Sequence, residues 1–255
     1  MAKVEIRGVS KSYALNTGKD RSDSVLALKG IDLTIEDGEF VALLGPSGCG
    51  KSTLLHLVAA LEEVTTGSIL VDGEAPARLR DQHRLGIAFQ DSALLPWLSV
   101  KANVALPYKI AGRPVDLARV RHLIQLAGLE AFADARPSQL SGGMRQRAAI
   151  ARALTLEPTL LLLDEPFGAL DAVTRRRMNL ELQQIFLQRT LTTLMVTHSV
   201  DEALFLADRV MVMSGRPGEI VETIAVPFPR PRGIDCMRLE QFHQLTDHLT
   251  LLLEP

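Results

Sequence analysis

The sequence predicts an α/β fold in which a mostly parallel β-sheet is covered by helices on both faces. Two observations carry this prediction. Apolar runs of strand length, such as 40–44 and 160–163, contain no polar residue, as expected of strands that are buried on both faces. These runs alternate with segments of helical character, such as 51–61 and 172–188, and this alternation is typical of parallel sheets.

The composition sets limits on the class of protein. The chain has 255 residues, of which 47% are apolar and 23% charged, with a net charge of −2. This length suits one large α/β domain or a core domain with a smaller lobe, and the charge argues against nucleic acid as the main partner. Two cysteines cannot build a disulfide framework, so we expect a reduced, cytosolic protein. We expect no export signal and no membrane-spanning segment, because apolar runs of sufficient length are missing.

The N-terminal part of the chain predicts strands that pair as a hairpin. Segments 4–13 and 25–35 alternate apolar with polar residues, and the polar run 16–24 between them predicts a long exposed loop. Further along, Ser199 and Glu202 have capping-box spacing at the start of a helix. Other strands are predicted at 69–71, 85–89 and 192–197.

The segment 45–53 predicts a phosphate-binding loop. It fits the pattern G-x-x-x-x-G-K-S/T and lies between a buried strand and a helix, which is the context that this pattern requires. Glycines let successive N–H groups turn toward one anion, Lys51 supplies a charge for the outer phosphates, and the Ser52 hydroxyl reaches Mg²⁺. The predicted nucleotide-binding residues of the loop are Gly45, Pro46, Ser47, Gly48, Cys49, Gly50, Lys51, Ser52 and Thr53.

A second apolar strand ends in two carboxylates. Residues 160–163 lead into Asp164 and Glu165. We expect Asp164 to hold Mg²⁺ through water, and Glu165 to orient or deprotonate the attacking water. Taken alone, the stretch also fits a buried strand that ends in solvated acids.

The run Leu-Ser-Gly-Gly-Met-Arg-Gln-Arg at 140–147 resembles the signature of the ABC ATPase family. The resemblance implies a P-loop NTPase fold with a RecA-like core, an antiparallel β subdomain and an inserted α-helical subdomain, with ATP and Mg²⁺ as ligands. It also implies a head-to-tail dimer in which Ser141, Gly142 and Gly143 of one copy close on the γ-phosphate held by the other. Met144 departs from the family pattern, where Gln is usual. A helix N-terminus with paired glycines suits an anion.

The resemblance also implies roles for four residues outside the two loops. Gln90 resembles the glutamine that contacts Mg²⁺ and water, and His198 resembles the switch histidine that contacts the γ-phosphate. Asp171 ends the coupling loop 168–171, where Gly168 replaces the more usual Ser. Tyr13 resembles the aromatic residue that stacks on adenine. Predicted metal contacts are therefore Ser52, Gln90 and Asp164.

The resemblance divides the chain into three parts. The predicted nucleotide-binding core, with its antiparallel β subdomain, comprises 1–89 and 158–228, the helical signature subdomain 90–157, and the tail helix 229–255. A stripe at helical spacing in the tail predicts packing against the core or a partner; it comprises Leu239, Phe242, Leu245, Leu249 and Leu252. Cys49 at a helix N-terminus predicts a lowered thiol pKa, but we favour a passive filler over a redox role.

Four segments are similar to importer ATPases of the nitrate, sulfonate and taurine group: 89–100, 164–171, 215–218 and 227–232. This similarity implies transmembrane permease subunits as partners, a second copy of the chain, a periplasmic or extracellular solute-binding protein acting indirectly, and a peripheral location on the cytoplasmic face of the membrane. The run 94–98 predicts the permease docking surface, although Trp97 also fits an anchor of the helical lobe. Alternatives are an importer for a pyrimidine-type vitamin precursor, an exporter, or an ABC ATPase acting on DNA or the ribosome.

Overall fold

The computed structural model describes residues 2–14, 24–168, 170–188 and 191–253. The predicted hairpin loop 16–24 lies outside the described residues except for Ser24, which begins a strand. The strands are β1 (Val4–Ala14), β2 (Ser24–Ile35), β3 (Phe40–Leu44), β4 (Thr66–Val71), β5 (Leu85–Ala88), β6 (Leu160–Asp164), β7 (Thr192–Thr197), β8 (Arg209–Met213) and β9 (Ile220–Ala225). The α-helices are α1 (Lys51–Val58), α2 (Pro76–Asp81), α3 (Val100–Ile110), α4 (Leu117–Leu126), α5 (Gly142–Ala153), α6 (Ala172–Gln188), α7 (Val200–Leu206) and α8 (Glu240–Leu253).

The described strands form two sheets. A three-stranded antiparallel sheet has the order β2-β1-β4, and a six-stranded sheet has the order β5-β6-β7-β3-β8-β9. The six-stranded sheet is parallel except for β9, which pairs antiparallel with β8. This mixed α/β architecture confirms the predicted fold class. Because the carboxyl ends of β3, β5, β6 and β7 lie at one edge, the residues that follow these strands meet there.

The two faces of the six-stranded sheet are covered by separate apolar clusters, because side chains alternate along each strand. Val41 and Leu43 belong to the cluster formed with α1 and the three-stranded sheet. Phe40, Ala42 and Leu44 belong to the other cluster, which includes residues of α3 to α8. The unbroken apolar run of β3 is thus explained by burial on both faces.

The segment 90–157 contains α3, α4 and α5 together with short 3-10 turns, in agreement with its predicted helical character. Its exact limits as a subdomain stay a prediction. In the tail, Phe242 and Leu249 are fully buried and Leu245 and Leu252 pack against them, so this part of the predicted stripe faces the core. Leu239 is exposed and precedes α8.

Two predicted boundaries were wrong. α1 ends at Val58 rather than near Leu61, because Ala60 adopts a left-handed backbone and the N–H of Leu61 bonds back to the carbonyl of His56. β4 begins at Thr66 rather than at Ile69, because its first residues pair with β1.

The predicted capping box before α7 is only half formed. The Ser199 side chain accepts a hydrogen bond from the N–H of Glu202, as expected of an N-cap. The Glu202 carboxylate does not return to the Ser199 N–H, which donates instead to the Thr197 hydroxyl. Glu202 turns inward and accepts a 2.7 Å hydrogen bond from Thr197.

Candidate functional site

The segment 45–50 connects the buried strand β3 to the first turn of α1. Its backbone needs glycine, since Gly48 and Gly50 have φ of 78° and 108°. A Cβ atom on Gly50 would also lie 2.7 Å from Cδ2 of Leu28. No acidic residue stands in the first turn of α1, so the partial positive charge of the helix N-terminus is not offset there.

Lys51 is held inside the curve of this loop. Only 5% of the residue is exposed. Its ammonium group donates to the carbonyls of Gly45 at 2.8 Å and Pro46 at 2.9 Å. A buried ammonium bonded to neutral carbonyls, beside a helix N-terminus, fits a site for phosphate oxygens, because an anion adds the opposite charge that these partners lack.

The Ser52 hydroxyl and the Asp164 carboxylate meet beneath the loop. Ser52 donates a 2.9 Å hydrogen bond to Oδ1 of Asp164, which is 4% exposed. Burial raises the pKa of the Asp164 carboxyl, while the bond from Ser52 acts in the opposite direction. A cation beside this buried carboxylate would favour its ionised form.

The donor set here fits Mg²⁺. In the described residues, no group of three or more His, Cys, Asp or Glu side chains is placed to hold a metal by itself. Mg²⁺ is usually held by one or two carboxylates together with substrate phosphates and waters, so Asp164 and the Ser52 hydroxyl beside a phosphate loop are the expected kind of site. Gln90, the third predicted metal contact, follows the end of β5 in the chain.

Two side chains converge on Glu165, the residue after β6. Its Oε2 atom accepts a 3.2 Å hydrogen bond from Nε2 of Gln90 and lies 3.3 Å from Nδ1 of His198. Glu165 has φ of 43°, a strained value for this residue, and its N–H donates to the carbonyl of Val196 on the neighbouring strand. The structure therefore brings together Gln90, Glu165 and His198, which are separated along the sequence.

A cavity of about 330 Å³ opens over the loop. Gly48, Lys51 and Ser52 line it together with Gln90 and Glu165. These residues are among those that the sequence assigned to phosphate binding, metal binding and catalysis, whereas the predicted residues Asp164 and His198 are not in the cavity lining.

Arg216 also lines this cavity, and the sequence did not assign it to the site. It lies in the 214–219 loop, where Gly218 exchanges backbone hydrogen bonds with Ala27 and Lys29 of β2. The same glycine packs closely against the phosphate loop, since a Cβ on Gly218 would lie 2.2 Å from the Cys49 carbonyl. The motif at 215–218 was visible, but only the tertiary contact shows where its arginine points.

Tyr13 lies at the end of β1 and is held by Glu62. Its hydroxyl donates a 2.6 Å hydrogen bond to Oε2 of Glu62, and the Lys11 ammonium lies 5.0 Å from its ring centroid. Burial raises the pKa of the Tyr13 hydroxyl. Tyr13 is not among the residues that line the cavity over the loop, and its stacking on adenine stays a prediction.

The second glycine-rich segment forms a separate helix start. Ser141 caps α5 and accepts a 3.3 Å hydrogen bond from the N–H of Met144. Gly143 faces the coupling loop, where a Cβ atom on it would lie 2.5 Å from Cδ2 of Leu170. Ser141, Gly142 and Gly143 do not line the cavity over the phosphate loop, as far as the described residues show. One chain therefore does not join its two glycine-rich helix starts into one pocket.

Asp171 caps α6 after the coupling loop, of which Ala169 lies outside the described residues. Its carboxylate accepts hydrogen bonds from the Thr174 hydroxyl at 2.6 Å and from the N–H groups of Val173 and Thr174 at 3.0 Å. The bonds from Thr174 hold the pKa of Asp171 below its ordinary value.

The predicted lowering of the Cys49 pKa was wrong. Cys49 is 1% exposed, and burial raises the pKa of its thiol more than the Lys51 charge lowers it. The helix N-terminus is present, but desolvation outweighs it. This result supports the passive packing role.

The predicted docking run 94–98 is only partly exposed. Leu94 is buried in the core, whereas Trp97 is 65% exposed. Trp97 therefore does not anchor the helical segment from inside. Among the described residues, no helix has the length and apolar character needed to cross a membrane.

Comparison with known proteins gives consistent matches. The ABC transporter family model matches residues 28–168. The nitrate import ATP-binding protein of Synechococcus elongatus is 45% identical over 81% of this chain and 77% of that protein. The aliphatic sulfonates import ATP-binding protein of Bacillus cereus is 42% identical over 90% of this chain and 88% of that protein.

The bicarbonate transport ATP-binding protein of Synechococcus elongatus is 43% identical over 98% of this chain, which spans 38% of that relative's length. Among solved structures, the dimeric bacterial ABC transporter cassette MJ0796 has a TM-score of 0.78 and 31% identity, covering 89% of this chain and 100% of that chain. A dimeric post-hydrolysis state of the same cassette, bound to ADP and phosphate, has a TM-score of 0.77 and 32% identity.

Proposed function

This chain belongs to the ABC transporter family, and from this premise we propose that it is the ATP-binding and ATP-hydrolysing subunit of an importer. The observation that carries the proposal is the convergence of Gln90 and His198 on Oε2 of Glu165, beside the cavity that Lys51 and Ser52 line. A simple phosphate-binding protein has no need of a carboxylate held by two neighbours at that place.

Each residue of the site has its own role in ATP hydrolysis. Lys51 and the N-terminus of α1 bind the phosphate chain. Ser52, Asp164 and Gln90 would hold Mg²⁺, which when bound would neutralise charge on the phosphate oxygens. Glu165 takes a proton from the attacking water, whose oxygen forms a bond to the γ-phosphorus as the bond to the bridging β–γ oxygen breaks. ADP and inorganic phosphate are the products.

His198 and Gln90 act as partners of this base. Each contacts the same carboxylate oxygen of Glu165, so they fix the direction in which the carboxylate points. His198 is half exposed and thus accessible to a γ-phosphate. The role of His198 is to bind that phosphate and to orient Glu165.

A second copy of the chain completes the site. Ser141, Gly142 and Gly143 form a helix N-terminus that is not part of the described lining of the chain's own phosphate cavity, and such a helix start binds an anion well. In a two-fold, head-to-tail dimer, each copy supplies this segment to the nucleotide of the other. The dimeric structures of the similar cassette support this arrangement.

The transported solute is a small anion of the nitrate, sulfonate or bicarbonate class. The names of the similar proteins support this class. Solute recognition belongs to a separate permease and a solute-binding protein, and calorimetry on that binding protein with nitrate, taurine and bicarbonate tests the class. Tight binding of a pyrimidine-type compound instead would assign the importer to the alternative group.

Permease docking involves the surface around Trp97. A separate cavity of about 340 Å³, which Trp97 does not line, is lined by apolar side chains such as Ile87, Phe89 and Ile110 together with Arg80 and Arg152. Ile110 is 71% exposed. An amphipathic helix from a membrane subunit fits such an apolar groove.

The test is phosphate release by the purified chain and by Glu165→Gln. We expect the wild type to hydrolyse ATP with a specific rate that rises with protein concentration, since the site needs two copies. Glu165→Gln should still bind ATP, and its hydrolysis rate should fall by about 100-fold or more. In the presence of ATP this variant should form a dimer, which size-exclusion chromatography with light scattering detects. A monomer that hydrolyses ATP at full rate would contradict the shared site.

A further inference from the structure

Glu202 is a buried carboxylate that the hydrolytic mechanism above does not use. It stands in the first turn of α7 and is 2% exposed. Its Oε2 atom accepts the Thr197 hydroxyl at 2.7 Å, and its Oε1 atom lies 3.2 Å from Nε of Arg175. These contacts reach two other elements, the end of β7 at Thr197 and the first part of α6 at Arg175.

The first contact fixes the loop that carries His198. The Thr197 hydroxyl donates to Glu202 and also accepts a 3.0 Å hydrogen bond from the N–H of Ser199. Thr197 is 1% exposed, so water does not compete for these bonds. The residues on both sides of His198 are therefore held through one hydroxyl group, and that hydroxyl is oriented by Glu202.

The second contact reaches the coupling loop. Nε of Arg175 forms an ion pair with Glu202 without hydrogen-bond geometry, while its Nη2 donates to the carbonyl of Leu170 at 3.0 Å. The backbone N–H of Arg175 also bonds to the carbonyl of Asp171. A movement of the coupling loop would therefore displace Arg175, and with it the Glu202 carboxylate that accepts the Thr197 hydrogen bond.

Stability alone does not account for this arrangement. An ion pair that loses water is often no more stable than apolar residues of the same volume, and here the Glu202 side chain is 3% exposed and that of Arg175 is 30% exposed. Burial does raise the pKa of Glu202, although Thr197 and Arg175 act against that rise. The contacts instead fix the orientation of the Glu202 carboxylate, with Oε2 toward Thr197 and Oε1 toward Arg175.

We propose that Glu202 is a positioning residue that ties the orientation of His198 to the position of the coupling loop 170–171. The proposal rests on the proposed ATPase function. The family resemblance implies that the coupling loop connects the two sites of the proposed head-to-tail dimer. Dimer formation would then fix the orientation of His198 through Arg175, Glu202 and Thr197.

The main variant is Glu202→Gln, which keeps the size of the side chain and removes its charge. We expect kcat for ATP to fall about tenfold, within the usual range of coupling between sites, with KM and the ATP dissociation constant changed by less than twofold. In a His198→Ala background the same substitution should cause no further loss, because its effect passes through His198. The matched control is Glu181→Gln, which breaks the Arg177–Glu181 pair on α6.

A second pair of variants covers the case in which Glu202→Gln does not fold. Thr197→Val has the same shape but lacks the hydroxyl, and Thr197→Ser restores it. We expect Thr197→Val to lower kcat and Thr197→Ser to recover it. In the nucleotide-free chain, the imidazole NMR signals of His198 should shift in Glu202→Gln and Thr197→Val, but not in Glu181→Gln.

Several outcomes would overturn the proposal. These are an unchanged kcat, a loss of kcat that is additive with His198→Ala, or His198 signals that do not respond to Glu202 and Thr197. A loss that follows the melting temperature across all variants, including the Glu181 control, would show a purely structural pair. If the wild type hydrolysed no ATP, the proposed function would fail, while the NMR comparison would still decide whether Glu202 positions His198.

Discussion

The Ser52 hydroxyl donates a 2.9 Å hydrogen bond to Oδ1 of Asp164, and this bond joins the start of α1 to the end of β6. Asp164→Asn removes the charge that faces the predicted Mg²⁺ and keeps the shape of the side chain. We expect the variant to lose the gain in ATP affinity that Mg²⁺ gives the wild type, because an amide is a weaker ligand for this hard cation. Binding of a fluorescent ATP analogue with and without Mg²⁺ measures this gain. Asp201→Asn, an exposed carboxylate on α7, is the control.

Gly143 and Gly142 offer a matched comparison. A Cβ on Gly143 would lie 2.5 Å from Cδ2 of Leu170, whereas the nearest atom to a Cβ on Gly142 is Nη2 of Arg145 at 3.9 Å. We expect Gly143→Ala to destabilise the chain by about 1–3 kcal/mol through overpacking. Gly142→Ala should be neutral or slightly stabilising, since alanine favours helix. Chemical denaturation of the two variants tests this difference, and equal effects would contradict the packing argument.

Met144 is partly buried against the apolar core, and its N–H bonds to the Ser141 side chain. The backbone of the α5 N-terminus therefore supplies the anion-binding groups whatever the side chain at 144. We expect Met144→Gln to leave ATP hydrolysis equal or to raise it. The measurement is transporter-stimulated phosphate release, and a large loss would show that the thioether has a role of its own.

Trp97→Ala tests the permease surface. Trp97 is 65% exposed, so its removal should leave the melting temperature and ATP binding nearly unchanged. We expect co-purification with the permease to fall by tenfold or more, as for a central aromatic of an interface, where truncation costs about 2 kcal/mol or more. Phe132→Ala, which alters another exposed aromatic, is the control. Unchanged assembly with an intact permease would place the docking surface elsewhere.

Arg216→Gln tests the residue that the sequence left unassigned. Arg216 lines the cavity over the phosphate loop, and within the described residues it has no ion-pair partner. We expect affinity for ATP and ADP to fall about fivefold, because one charge-assisted contact to phosphate contributes about 1 kcal/mol or more. Adenosine binding should not change. Arg113→Gln serves as the control, and equal losses for adenosine and ATP would argue against a phosphate contact.

A site residue could be predicted from the sequence when its role depends on its immediate neighbours in the chain. The phosphate loop and the carboxylates of Asp164 and Glu165 were predicted because each lies directly after an apolar strand, where a motif of fixed spacing has one possible position. Glu202 was misinterpreted as half of a capping box, since the spacing from Ser199 is correct for one. Its actual partners lie at the end of β7 and in α6, and local spacing contains no information about them.

The sequence by itself determined the family, the fold class, the two glycine-rich helix starts and the residues at the ends of β3, β5, β6 and β7. These features depend on short motifs and on the two-residue and 3.6-residue periods of strands and helices. Only the tertiary structure decided that Arg216 lines the phosphate cavity, that Cys49 has a raised pKa, and that Glu202 contacts Thr197 and Arg175. The physical reason is that burial and side-chain contacts depend on residues far apart in the chain. Their effect on a pKa or a hydrogen bond can outweigh the effect of neighbouring residues.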